Sequence, residues 1–313
     1  MKKCIYLILI ASATNYIWAQ TILHEWKVTL KAVNEVGQPI ADADASVGYF
    51  SNHVGTSIKG LTDTNGIFTA SHLANSGLLS FSVVKEGYYK TWSEYDLGFD
   101  YNPNKWSPTR TIVLKKIGKP VPMYARKMQI EIPEINKLIG FDLMEADWVA
   151  PYGKGKQSDF IIEAQRRWAS RNDFDSNLKV TFPNSGDGLM PISVPLNQGS
   201  ELRLSATAPS DGYIPELSKS LSHTPATGWK KDDNKEQNYY FRVRTRLDES
   251  SNAKNAVYGK IYGDFVLDPI NSKTTWIIFT YYLNPEPNSH NVEFDPKQNL
   301  FKNLSASEQV DEP

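Results

Sequence analysis

Residues 60–70 read GLTDTNGIFTA. Two short apolar runs flank Asp63, Thr64, Asn65 and Gly66. The stretch is either a cation-binding loop or a turn. A calcium loop of the EF-hand kind needs three oxygen-bearing positions before its glycine and a bidentate Glu six residues after it. Here only Asp63 and Asn65 precede Gly66, and the sixth residue after it is His72. The calcium reading fails. Asn65-Gly66 tolerates the positive φ of a tight hairpin, and the Asp63 carboxylate can accept from the turn's own N–H groups. The stretch therefore reads as a hairpin, with Ile67 to Ala70 returning as the partner strand.

The flanking sequence has the period of two that a half-buried strand requires. In WKVTLKA, residues 26–32, Trp26, Val28, Leu30 and Ala32 share one face. In ADASVGYF, Ala43, Ala45, Val47 and Tyr49 do the same. Leu79, Phe81 and Val83 alternate in GLLSFSVVKEGYYKT, as do Ile112 and Leu114 in TRTIVLKKI. Gly37, Pro39 and Gly87 punctuate the runs as turn residues. Six or seven short strands without a helical period predict a β-sandwich.

Three elements in this order carry a resemblance. GQPIADADASV, GLTDTNGIFTA and LSFSVVKEGYYKT together resemble the carboxypeptidase regulatory-like domain, a transthyretin-like β-sandwich. The matching positions are Gly37 and Pro39, then Thr62, Asp63, Gly66 and Phe68, then Gly87 and Tyr88. The likeness spans residues 24–117. It implies a non-catalytic accessory on a secreted protein, serving as stalk, spacer or binding platform, and it implies no peptidase activity. Residues 92–108, WSEYDLGFDYNPNKWSP, depart from the pattern as an aromatic insertion. Trp92, Tyr95, Tyr101 and Trp106 form either a flap over the sandwich or a sugar-stacking or partner surface, since aromatic faces serve both ends.

Pro120 and Pro122 mark residues 118–127 as an extended linker. Beyond it the pattern stays β-rich, and residues 128–304 predict a second sandwich or jelly-roll-like domain. Its strands are read in MQIEI, DFIIEAQRRW, LKVTF, ELRLSATA, NYYFRVRTRL, VYGKIYGDFVL and TTWIIFTYYL. The last is apolar throughout and reads as a central strand. Arg242, Arg244 and Arg246 fall on one face of their strand and predict a solvated or acid-facing side. IPEINKLIG and GYIPELSKSL are the only segments with a short helical reading. Residues 305–313 are polar and acidic and predict a disordered tail. The whole resembles uncharacterised secreted bacterial proteins that pair a regulatory-like domain with a β-rich module.

The first 19 residues have the layout of a signal peptide: Lys2 and Lys3, an apolar run from Ile5 to Ala11, then small residues. The apolar run is shorter than the roughly 20 residues a membrane span needs. Cleavage after Ala19 removes Cys4, the single cysteine, and takes the formal charge from −1 to −3. A chain so processed has no disulfide and no thiolate chemistry. It is expected in the periplasm or outside the cell, with no transmembrane segment. Near-neutral charge gives no electrostatic case for nucleic acid.

Motifs for chemistry are sparse. The five histidines, His24, His53, His72, His223 and His290, show no H-E-x-x-H or i, i+4 spacing, so no metal site is expected. No G-x-S-x-G elbow is present, and no cofactor is expected. One acidic and aromatic patch, residues 140–160, gathers Asp142, Glu145, Asp147, Trp148, Tyr152 and Asp159. Paired carboxylates do acid/base work or bind hard cations, and carboxylates beside an aromatic suit sugars. The same residues also suit a polar hairpin whose carboxylates pair with lysines. Three functions are open at this point. The first is a non-enzymatic accessory, structural or binding protein of the bacterial envelope, partnered by another envelope protein. The second is a carbohydrate-binding protein using residues 92–108 or 142–152. The third is a polysaccharide hydrolase with two of Glu145, Asp147 and Asp264 as acid and base, which requires two carboxyls about 5–10 Å apart.

Overall fold

The computed structural model describes residues 23–313, apart from 52–53, 76, 97–104, 250–252 and 270–273. The expected signal peptide and Tyr101 lie outside the described residues. The described chain is built from strands and contains no α-helix, so the all-β expectation holds.

The first unit holds β1 (His24–Asn34), β2 (Asp44–Ser51), β3 (Val54–Leu61), β4 (Ile67–Ala74), β5 (Leu78–Val84), β6 (Thr91–Asp96) and β7 (Thr109–Leu114). One sheet has the order β4-β1-β7, with β1 and β7 parallel. The other runs β6-β5-β2-β3. The faces read from alternation point inward: Trp26, Val28, Leu30 and Ala32 meet Ala45, Val47, Tyr49, Leu79, Phe81 and Val83 in one core. Each fully buried Val, Leu or Phe there contributes roughly 1.5–3 kcal/mol.

Asp63 behaves as its turn requires. Its Oδ1 accepts from Asn65 N at 2.9 Å and Ile67 N at 2.8 Å, and Gly66 takes a φ of 73°. The motif also closes on the turn before β2. Thr62 Oγ1 donates to Ile40 O at 2.7 Å and accepts from Ala43 N at 2.9 Å. A Cβ on Gly66 would sit 2.3 Å from Ala32 O, so the glycine allows the hairpin to lie against β1. Asp63→Ala frees two exposed N–H groups and is expected to cost about 1 kcal/mol, whereas Asp63→Asn, which keeps an acceptor, costs less. Thermal melts of the two variants decide this; equal melting temperatures would remove Asp63 from the account of the turn.

The second unit holds β8 (Tyr124–Glu131), β9 (Ile139–Asp142), β10 (Asp147–Trp148), β11 (Phe160–Ser170), β12 (Asp173–Thr181), β13 (Gly188–Ser193), β14 (Gln198–Ser200), β15 (Glu216–Thr224), β16 (Gly228–Lys231), β17 (Gln237–Leu247), β18 (Ala253–Asp268) and β19 (Trp276–Asn284). Its two sheets are β10-β9-β11-β12-β15-β16 and β13-β17-β18-β19-β8. They enclose a core that includes Phe141, Phe160, Phe241, Phe265 and Phe279. The apolar β19 sits between β18 and β8, as its sequence predicts.

The structure corrects several expectations. Both segments with a helical reading are non-helical: residues 133–137 form turns and residues 216–224 are β15. ELRLSATA is not a strand. Leu202, Leu204 and Ala208 instead anchor it over the outer face of the β17-β18-β19 sheet. That face is apolar too, with Tyr240, Tyr258, Tyr262 and Tyr282, so it needs a cover. Residues 305–313 complete the cover and are ordered. Val310 is buried, Lys127 N donates to Glu308 O at 2.9 Å, and Arg203 pairs with Glu312 at 2.9 Å. The linker is shorter than expected, because residues 124–127 already belong to β8.

The two units are joined by backbone. β14 of the second pairs with β6 of the first, extending that sheet to β14-β6-β5-β2-β3. Around it, Glu94 N donates to Asn197 O at 2.9 Å and Glu201 N to Lys90 O at 3.1 Å. Lys115 Nζ donates to Leu202 O and Arg203 O at 2.8 and 2.7 Å, and burial lowers its pKa. The buried Glu293 carboxylate accepts from Tyr89 Oη, Gly118 N and Lys119 N at 2.9, 2.8 and 2.7 Å. Residues 118–119 are therefore clamped rather than free to swing.

Candidate functional site

The aromatic insertion does not form one platform. Its first part is β6, and alternation along a strand sends Trp92 and Tyr95 to opposite faces. Tyr95 packs on the core and lies under the Arg110 guanidinium, 3.9 Å from its ring centre. Trp106 also packs on the core, beside Trp26 at 6.4 Å and His24 at 3.8 Å between ring centres. Trp92 is 41% exposed on the outer face. Its ring lies across Gly199 of β14, where a Cβ would fall 2.0 Å from Trp92 Cε2. Trp92 is thus a residue of the joint. The coplanar exposed pair that sugar stacking requires is not formed by Trp92 and Trp106.

The acidic patch is built around Asp142, the last residue of β9. Its Oδ1 accepts from Met144 N at 2.9 Å and Glu145 N at 3.3 Å, and its Oδ2 from Lys156 N at 2.9 Å and Gln157 N at 3.1 Å. Burial opposes charge on this carboxyl, but the four N–H groups outweigh it and hold it below the usual carboxylate range. Asp142 therefore pins both ends of the loop that carries the patch. Asp147 serves the same loop: Oδ1 accepts from Trp148 N at 2.8 Å and Oδ2 from Lys154 N at 2.9 Å. Glu145 pairs with Lys156. Trp148 is buried and donates through Nε1 to Glu131 O at 2.9 Å. Tyr152 Oη donates to Glu134 Oε2 at 2.7 Å.

Beneath the patch lies an ion cluster that the alternation pattern hid. Arg244 was expected on a solvated or acid-facing side, and the acid-facing alternative holds. It sits at an irregularity in the β17–β18 register, with a φ of 57°. A bulge re-aims its side chain. The guanidinium turns inward, with Nε 2.7 Å from Asp159 Oδ1, and one terminal nitrogen 2.9 Å from Asp159 Oδ2 and 3.2 Å from Asp142 Oδ1. Burial pushes the Asp159 carboxyl up, while Arg244 and Leu143 N draw it back down. Neighbouring Arg242 is also engaged, donating to Gly186 O and Ser210 O at 2.7 and 2.8 Å.

Asp264 belongs to the opposite sheet. Tyr239 Oη donates to its Oδ1 at 2.5 Å, and Lys219 Nζ and Asn234 N reach its Oδ2 at 2.7 and 3.0 Å. Lys219 is on β15, four strands across the sheet from β10, which carries Asp147. At about 4.8 Å per strand, some 19 Å of sheet separates β10, which carries Asp147, from β15, whose Lys219 reaches Asp264. Acid and base in glycoside hydrolysis stand at most about 9.5 Å apart, so Asp147 and Asp264 do not form that pair. Two histidines are engaged singly: His223 Nδ1 donates to Asn172 O at 2.6 Å and His290 Nδ1 to Ala208 O at 2.8 Å, while His53 lies outside the described residues. Among the described residues no three His, Cys, Asp or Glu side chains are placed to hold a metal ion.

No family model and no curated protein matches the chain. Solved structures do. A DUF3823 family protein from Parabacteroides merdae is 10% identical, the match covering 87% of this chain and 98% of that one, with a TM-score of 0.21. A streptococcal ancillary pilin is 13% identical over 77% of this chain and 59% of its own, with a TM-score of 0.22. BcpA, the major pilin subunit of Bacillus cereus, is 11% identical over 82% and 95%, with a TM-score of 0.23. At these scores the likenesses carry no inference about activity.

A different feature has the form of a binding site, and it was not read from the sequence. At the edge of the second unit β15 and β16 of the six-stranded sheet face the end of β18. The two sheets part there to leave a cleft of about 350 Å³ lined by Leu221, Trp229, Phe265, Val266 and Leu267. Trp229 is 61% exposed and Val266 40% exposed.

Proposed function

We propose that the chain is an exported, non-enzymatic structural or binding protein of the bacterial envelope. Its first unit is read as a carboxypeptidase regulatory-like sandwich, and its leader as a signal peptide. The observation that carries this reading is the joint. A strand of the second sandwich completes a sheet of the first, and Glu293 clamps the connecting segment from the second unit. Such a joint sets the two sandwiches at one angle, which suits a spacer or platform and has no role in turnover. The commitment of Asp142, Asp147 and Asp264 to backbone or ion-pair partners fits the same reading.

Three measurements test it. Calorimetry of the mature chain is expected to give one cooperative transition, since neither sandwich can unfold without exposing the other's edge. Two well-separated transitions would overturn the rigid joint. Fractionation of cells producing the full chain is expected to place it in the periplasm or outside the cell; recovery in the cytosol with the leader intact would overturn the envelope role. Turnover of a polysaccharide that vanishes on Asp147→Asn would return the hydrolase reading.

A further inference from the structure

The cleft between β15, β16 and β18 combines features that recognise a ligand. Its volume is that of a small-molecule pocket, and its lining is mostly apolar, as such pockets are. Trp229 is held from behind rather than loosely draped. Its ring meets Phe174 edge-on at 5.6 Å and His223 edge-on at 4.9 Å, and Phe174 is itself buried and stacked on Trp168 at 5.3 Å. A supported, exposed indole costs hydration without gaining a contact, unless something covers it.

The charges at the rim say what kind of group that is. Lys219 is neutralised by Asp264 at 2.7 Å and Lys231 by Asp233 at 3.0 Å. Two carboxylates of the lining remain. Asp232 accepts hydrogen bonds from Ser220 N and Oγ, which leave its charge in place. Asp268 has no side-chain partner among the described residues, at the end of the apolar wall. Arg166, two strands further along the same sheet face, keeps its charge but lies outside the cleft lining and is directed to Thr274 O and Thr275 Oγ1, both at 2.7 Å. The mouth therefore carries an acidic excess around an aromatic surface. An aromatic face attracts a cation through its quadrupole, and nearby carboxylates add to that attraction.

We infer that this cleft binds an organic cation with an apolar body: an ammonium or guanidinium carried on an alkyl or aryl group. The apolar body covers Trp229 and Val266, and the cation faces Asp268 and Asp232. The site is separate from the joint and from the acidic patch of residues 140–160, and it does not depend on the envelope role.

The test uses the mature chain labelled with ¹⁵N, in which Trp229→Phe identifies the Trp229 indole N–H resonance by its loss. Benzylammonium, benzyl alcohol and benzoate are titrated as matched probes, with a short lysine-centred peptide as a fourth arm. Benzylammonium is expected to shift the Trp229 resonance saturably, and more strongly at low salt. Benzyl alcohol should bind more weakly and benzoate weakest. Trp229→Ala is expected to weaken benzylammonium about tenfold, the scale of a partly desolvated cation–π contact. Asp268→Asn should remove most of the salt dependence with the fold unchanged, because the carboxylate lies at the rim. Saturable binding of the peptide as well would identify a basic side chain of a partner as the source; binding of benzylammonium alone would identify a free amine. Benzoate binding as tightly as benzylammonium, or no probe moving the Trp229 resonance, would overturn the inference.

Discussion

Arg244→Leu is expected to cost about 3–5 kcal/mol, the penalty for stranding buried charge when one partner of an ion pair is removed. Asp159 is fully buried and Asp142 nearly so, and Arg244 is the cation between them. Without it, two carboxylates face each other in a low-dielectric setting. Equilibrium unfolding in urea measures the loss. Its pH dependence gives an independent check. In the variant Asp159 loses the guanidinium that offsets its burial, so its folded pKa rises further above the unfolded value of about 3.9, whereas Asp142 keeps its four N–H donors. A folded state that binds more protons loses stability as pH rises through that window. The deficit should therefore be largest at neutral pH and shrink as pH falls towards about 4. Asp142→Asn combined with Asp159→Asn and Arg244→Leu should recover part of the loss, since no ion is then left unpaired. A deficit that does not change between pH 7 and 4 would show that Arg244 acts by packing alone.

Lys260→Met is expected to stabilise the protein at pH 7, by about 1–3 kcal/mol, on the scale by which apolar replacements of buried ions do so. Lys260 is fully buried on the outer face of β18, beneath the strip that ends in residues 305–313. Its Nζ donates to Tyr262 Oη at 3.0 Å and lies 4.6 and 4.8 Å from the ring centres of Tyr262 and Tyr282. Tyr262 Oη in turn donates to Pro313 O at 2.8 Å. Burial lowers the amine's pKa well below its ordinary 10.5. The unfolded chain then binds a proton that the folded chain does not, so stability rises with pH between the folded value and 10.5. The advantage of Lys260→Met should thus narrow as pH rises from 7 to 9.5. Once the lysine is neutral in both states, only the lost hydrogen bond to Tyr262 remains, about 1 kcal/mol against the variant. Chemical unfolding of both proteins across that range decides it. A parallel pair of stability curves would mean that Lys260 keeps its charge in the fold.

The candidate site shows how far local reading reaches. Asp142, Glu145 and Asp147 were legible as a cluster because they lie within six residues of one another, and the N–H groups of Trp148, Lys154 and Lys156 from the same loop fold back on Asp142 and Asp147. What the cluster does was not legible. Its counter-ion, Arg244, lies 102 positions from Asp142 and turns inward only through the irregular register of β17. Trp229 gave no local signal either. The cleft it lines is completed by Phe265, Val266, Leu267 and Asp268 of β18, which nothing near Trp229 in sequence reports.

By itself, the sequence determined what depends on near neighbours. The period of two at Trp26, Val28, Leu30 and Ala32, and the turn chemistry of Asp63 and Gly66, act over a few residues and survive any arrangement of the rest. Tertiary structure alone decided which second faces are covered and where the strands break register. The burial of Lys260, the inward turn of Arg244, the use of Trp92 at the joint and the ordering of residues 305–313 all follow from segments far apart in the chain. Covering a sheet face is a long-range event, because the apolar strip that hides it can come from anywhere in the sequence.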